Sequence, residues 1–102
     1  MRYTIFQIRD IDNCDYLFRS YDDSKFNFND YYKVYSGIID DCSLNEPTVV
    51  LEDLFRYFNR VTDKDVERLE KIGFTGHSLS CSDVVKLDDT LYYCDSFGWK
   101  KI

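Results

Sequence analysis

Proline occurs once, at Pro47, and glycine only four times in 102 residues. Connections therefore fall to Asp, Asn and Ser, whose side chains bond their own backbone in turns. No apolar run approaches the roughly 20 residues needed to cross a bilayer. The first ten residues alternate instead of placing a basic start before an apolar stretch, so neither a secretory signal nor a membrane span is expected. Cytoplasmic residence is the expectation that follows. Positive charge is also in short supply: 13 Lys and Arg stand against 19 Asp and Glu, a formal charge of −6. This disfavours direct nucleic-acid binding, which neutralises phosphates with basic side chains. The one basic stretch, Arg56, Arg60, Lys64, Arg68 and Lys71, reads as the solvated faces of two helices.

The single histidine and the four scattered cysteines, at 14, 42, 81 and 94, lack the close pairs of a zinc module. They read as reduced thiols used mainly as small buried hydrophobes. A phosphate-binding glycine loop, a dinucleotide fingerprint and a zinc-protease motif are all missing, so no cofactor is assigned. Aromatics are abundant, at 18% of residues within an apolar fraction of 44%. That supplies a core and argues against disorder, in which such groups are depleted. The length suits one domain over residues 1–102.

Residues Arg2–Ile8 alternate as a strand, with Thr4, Phe6 and Ile8 on one face and Tyr3, Ile5 and Gln7 on the other. The spacing of Leu17 and Tyr21 predicts a short helix over 14–21. Residues 22–30 read as a loop pinned by Phe26 and Phe28. A second strand is expected over 31–39, with Tyr32, Val34 and Ile38 facing one way, Tyr31, Lys33 and Tyr35 the other, and a bend or bulge at Gly37. Residues 40–47 form a polar connection in which Asp40-Asp41 is a solvated turn.

The clearest helix covers 48–58, where Val50, Leu51, Leu54, Phe55 and Phe58 make an apolar stripe behind Pro47. Thr62 and Asp65 make a capping-box start for a second helix over 63–72, with Val66 and Leu69 inward and Gly73 as terminator. Val84–Leu87 and 91–97 read as a hairpin turning near Asp88-Asp89-Thr90, and Gly98 permits a further turn before Trp99, which closes one end of the sheet. Helices lying between N- and C-terminal strands favour an α+β fold, a mixed or mainly antiparallel sheet covered by short helices.

The stretch Gly76-His77-Ser78-Leu79-Ser80-Cys81-Ser82-Asp83-Val84-Val85, followed by Tyr92-Tyr93-Cys94-Asp95-Ser96-Phe97-Gly98-Trp99, resembles the C-terminal signature of the YodL-like domain family. Tyr3-Thr4-Ile5-Phe6-Gln7-Ile8, Tyr31-Tyr32-Lys33-Val34-Tyr35 and Leu51-Glu52-Asp53-Leu54-Phe55 resemble its earlier blocks. The resemblance implies an accessory module of bacterial mobile elements, with no reaction assigned. One departure is Ser82-Asp83, where the family pattern often reads Gly-Asp. Either Ser82 takes a positive φ and bears Cβ strain, or it keeps ordinary dihedrals while Asp83 supplies the turn bond.

A His-Ser-Asp arrangement can be drawn from His77, Ser78 or Ser80, and Asp83 or Asp95, but adjacency does not aim a ring nitrogen at a hydroxyl and no nucleophile elbow surrounds either serine. A structural role for His77 is preferred, as is burial for Cys81 and Cys94. Nothing specifies a reaction, and catalysis ranks below recognition. Tyr and Trp join apolar area to a hydrogen-bonding group, as interface anchors do. Tyr31, Tyr35, His77, Ser78, Asp95 and Trp99 are accordingly the candidate interaction residues, for a protein partner or self-association. The alternatives are inhibition of a host defence enzyme and a small enzyme centred on His77.

Overall fold

A computed structural model of the chain describes residues 1–39 and 46–102. Among these residues five strands form one antiparallel sheet: β1 (Arg2–Ile8), β2 (Tyr31–Ile38), β3 (Val84–Leu87), β4 (Thr90–Asp95) and β5 (Gly98–Lys101). Their order is β2-β1-β3-β4-β5, so β1 has a neighbour on each side. That inner place suits a strand with apolar groups on both faces. The fold is α+β, with the expected C-terminal hairpin formed by β3 and β4.

Two helices, α1 (Pro47–Tyr57) and α2 (Asp63–Lys71), contribute to the core on the Tyr3 and Ile5 face. Helix α1 brings Val50, Leu51 and Leu54 to it, with Phe58 at its C-cap, and α2 brings Leu69. Phe55 is only half-buried, and so is Val66, on which α2 relies less than its spacing suggests. Thr62 Oγ1 accepts from the Asp65 N–H and the Asp65 carboxylate accepts from Thr62 N–H, completing the capping box. At the other end Gly73 takes φ 77°, and the amides of Gly73 and Phe74 reach back to the carbonyls of Glu70 and Leu69. This is the left-handed termination that glycine admits without a Cβ penalty.

The opposite face is covered by the segment between β1 and β2. Tyr16, Tyr21, Phe26 and Tyr31 pack there on Ile8, Val84 and Tyr93. Phe26 holds its loop down by ring contacts with Tyr16, Tyr21, Tyr31 and Tyr93. Phe28 does so by contacts with Phe6 and Tyr31, within a short 3-10 turn, Phe28–Asp30.

Several expectations need correction. Residues 14–21 are a succession of turns and not a helix. The backbone groups a helix would use are bonded to the sheet end instead: the Phe18 amide donates to Ser82 Oγ, the Tyr21 amide to Asp95, and the Arg19 carbonyl accepts from Tyr93 Oη. In β2 the irregularity lies at Val34 and not at Gly37, since Ile5 pairs with Tyr35 while Phe6 pairs with Lys33. The extra residue breaks the alternation, and Val34 and Tyr35 both pack on the helix side while Tyr31 enters the opposite cluster. Gly37 answers a different need, because a Cβ there would lie 2.5 Å from the Tyr3 hydroxyl. Finally, 98–101 is a fifth strand paired to β4, and the chain reverses at Ser96-Phe97. The expected Asp40-Asp41 turn lies outside the described residues.

Candidate functional site

In this antiparallel order the end of β1, the start of β3, the end of β4 and the start of β5 meet at one end of the sheet. The loop 74–83 crosses that end and is held by Gln7, a fully buried polar residue on the apolar face of β1. Its amide nitrogen donates to the His77 carbonyl (2.8 Å) and Asp83 Oδ2 (3.1 Å), while its oxygen accepts the His77 N–H (3.2 Å). The clamp is so close that a Cβ on Gly76 would meet the Gln7 oxygen at 2.3 Å, which is why glycine stands there.

Asp83 is also fully buried. Oδ2 takes bonds from Gln7 and from the Ser80 amide (2.9 Å), so the side chain reaches back three residues and ties the turn that precedes it. Among the described residues Oδ1 has no hydrogen-bond partner, and it lies 3.8 Å from His77 Nε2, which also lacks one there. Burial pushes the Asp83 carboxyl up to about 8, against the bonds from Ser80 and Gln7 that lower it. His77 Nδ1 lies 2.7 Å from the Ser78 carbonyl and donates to it, since a carbonyl can only accept. Both ring nitrogens thus face protein groups, and Ser78 Oγ accepts from the Arg60 amide. The His-Ser-Asp triad is therefore not assembled with either serine among the described residues: Ser80 Oγ has no hydrogen-bond partner there, and Asp83 sits behind His77, but the ring addresses a backbone carbonyl and not a hydroxyl.

Ser82 takes φ 81°, the strained option of the two open for this residue. Its Oγ accepts the Phe18 amide at 3.0 Å and its carbonyl accepts the Tyr31 hydroxyl at 2.6 Å. A hydroxyl at this position thus fastens the 14–21 segment to the sheet end, a bond glycine could not make. Further ties follow: Cys81 Sγ donates to the Arg19 carbonyl, and Ser20 bonds Ser96. Three loops are sewn together by these contacts. From their outer surface project Phe18, with φ 61° and 55% exposed, and Phe97, at 101%. The Phe18 ring stands edge-on to His77, with centroids 5.9 Å apart.

Beside this surface Cys81, Cys94, Asp95, Ser96 and Trp99 line a cleft of about 300 Å³ with Glu52 and Phe55 of α1. Burial raises both thiols, Cys94 to about 12, so neither is a ready nucleophile. Cys14 is a free thiol as well, while Cys42 lies outside the described residues.

The residues nominated from sequence do not gather at one point. Tyr31 is buried with its hydroxyl committed to Ser82, and Tyr35 is half-buried against Tyr3 and Phe58. Trp99 packs on Phe55, and Asp95 accepts from the amides of Tyr21 and Ser96. His77 and Ser78 lie in the loop across the sheet end. Gln7, Ser82, Phe18 and Phe97 were not nominated. Gln7 did carry a signal, a polar side chain in phase with Tyr3 and Ile5, and so did Phe97, a large ring between turn residues Ser96 and Gly98. The basic stretch is partly committed internally: Arg56 pairs with Asp53, Arg68 with Asp65, and Arg60 bonds the Gly76 carbonyl. No helix among the described residues is long and apolar enough to cross a membrane.

A family model described as the YodL-like domain matches residues 2–102, and the chain belongs to that family. No curated protein and no solved structure matches it.

Proposed function

We propose that this member of the YodL-like domain family is a protein-recognition module that engages its partner through the sheet end bearing Phe18 and Phe97. The observation that carries the reading is the pair of exposed rings, held out from two loops that are bonded to each other. Phe97 leaves its whole ring in water, forgoing the roughly 1.5 to 3 kcal/mol that burying such a side chain supplies. Phe18 adds a left-handed backbone that costs on the order of 1 to 3 kcal/mol in a residue with a Cβ. Phe18 lies two residues from Ser20, and Phe97 adjoins Ser96, so at most about 7 Å and about 4 Å separate their Cα atoms from those of Ser20 and Ser96, which bond each other. Both rings therefore fit within the roughly 800 Å² that one partner contributes to an ordinary interface, where aromatics concentrate at the centre.

In the setting that the family resemblance implies, the partner of such an accessory module is another protein of the same mobile element. Inhibition of a host defence enzyme would use the same surface, and the identity of the partner separates the two. The test is comparative capture from nuclease-treated cell lysate with the folded domain as bait. A protein retained by the native chain and by Val61→Ser, which alters an exposed apolar residue after α1, but lost with Phe18→Ser/Phe97→Ser, is the expected result. Equal retention by all three baits refutes the reading.

A further inference from the structure

We propose that Asp83 and His77 share one proton, carried on Asp83 Oδ1 and directed at His77 Nε2, and that this proton latches the 76–83 loop and through it the seat of Phe18. The inference rests on the reading of Phe18 as part of the recognition surface only for its consequence, since the latch itself is a property of the free chain.

The hydrogen-bond partners and the burial of Asp83 together place the proton. Gln7 has two amide protons and both are spent, on the His77 carbonyl and on Asp83 Oδ2. It therefore has none for His77 Nδ1, whose own proton goes to the Ser78 carbonyl. That leaves Nε2 with a lone pair and no donor. Asp83 Oδ2 already accepts twice, so the remaining site on the carboxyl is Oδ1, the atom facing that lone pair at 3.8 Å. A proton between Oδ1 and Nε2, once their 3.8 Å separation shortens, serves two of the buried atoms that lack partners; on Oδ1 it leaves both groups uncharged, whereas on Nε2 it would set a charged pair in the same buried place. Deprotonated, Oδ1 would set a buried anion against a lone pair, and such a group costs far more than a paired one.

Among the described residues the surroundings offer no substitute charge. Tyr31 from β2, Cys94 from β4 and Cys81 from the loop all feel Asp83, and burial raises each of them so that they stay neutral. Gln7 from β1 is neutral at any pH, and the Arg60 guanidinium is bonded to the Gly76 carbonyl. Loss of the proton is therefore relieved by letting water in, which means moving the 76–83 loop. Ser82 lies next to Asp83 and holds the Phe18 amide, while the His77 ring supports the Phe18 ring. Both supports of Phe18 move with that loop. The device is a proton-linked latch: closed while Asp83 is protonated, open in mild alkali.

The test is an NMR titration of the isotope-labelled chain, without any partner, from about pH 6 to about pH 10. Below the transition the His77 ring should be the Nδ1–H tautomer with Nε2 accepting a hydrogen bond. Near pH 8, where burial sets the Asp83 carboxyl, the Ser80 and Phe18 amides should shift together. Hydrogen exchange at Phe18 should then quicken about tenfold beyond its ordinary pH dependence. Asp83→Asn, permanently uncharged, should abolish the transition. An Nε2–H tautomer, a Phe18 amide that stays fixed while Ser80 shifts, or an undiminished transition in Asp83→Asn overturns the latch. Should that variant fail to fold, the tautomer and the coupled amide shifts of the native chain still decide. Because no partner is present, failure here is distinct from failure of the recognition reading.

Discussion

Replacing Gln7 with Leu keeps the side-chain volume nearly constant and removes every bond of the clamp. Three partner groups are affected, the N–H and C=O of His77 and Oδ2 of Asp83. Oδ2 keeps its bond from the Ser80 amide, so the two His77 backbone groups bear most of the loss. A buried polar group left unpaired costs about 1 to 3 kcal/mol. His77 is only half-buried, so water recovers part of that. Leu also fits the apolar face better than Gln. A net destabilisation of about 3 kcal/mol results, against a total of roughly 5 to 15 kcal/mol for a domain of this size. With a urea dependence of about 1.5 kcal/mol per molar, the unfolding midpoint should fall by about 2 M. Trp99, the single tryptophan, sits against Phe55 and reports unfolding by fluorescence. A midpoint shift below about 0.5 M with an unchanged slope would mean that Gln7 does not hold the loop, and the site as described would fail with it.

Other substitutions probe other parts of the account. Leu54→Ala, at the buried stripe of α1, should cost about 2 to 5 kcal/mol by the same urea assay. Tyr31→Phe removes the donor to the Ser82 carbonyl and should cost about 1 to 2 kcal/mol, with the fold retained by circular dichroism. The Asp83 carboxyl is raised on folding, so its stabilising contribution is full below the unfolded value of 3.8 and is lost as pH rises towards about 8. Unfolding free energies measured across that window should show the native chain losing ground to Asp83→Asn as pH rises, and a constant difference would contradict the assignment.

Elements whose signals are local were legible in the sequence. β1 alternated, α1 carried a full apolar stripe, and α2 announced both ends through Thr62, Asp65 and Gly73. What escaped depends on partners distant in the chain. The Leu17–Tyr21 spacing suited a helix, yet the bonds that decide the conformation of 14–21 come from Ser82, Tyr93 and Asp95, more than sixty residues away. β5 is a short edge strand, Gly-Trp-Lys-Lys, in which only Trp99 is apolar, so it has no alternation to read. Its lysines are of the kind that protect an open sheet edge. At the site, His77 drew notice for its rarity, while Gln7, which positions it, showed only as a polar residue out of place on an apolar face. Tyr31 and Tyr35, expected on one strand face, point towards different clusters because the bulge at Val34 breaks the alternation between them, and no local signal in the sequence marks it.

The most direct test of the recognition surface is the affinity of a captured partner for the native domain, Phe18→Ser and Phe97→Ser, measured by titration calorimetry beside Val61→Ser. If the two rings anchor the interface, each of the first two substitutions should cost about 2 kcal/mol or more, roughly a thirty-fold loss of affinity, with Val61→Ser unchanged. Undiminished affinity in Phe18→Ser and Phe97→Ser would place the interface elsewhere on the molecule and contradict the account.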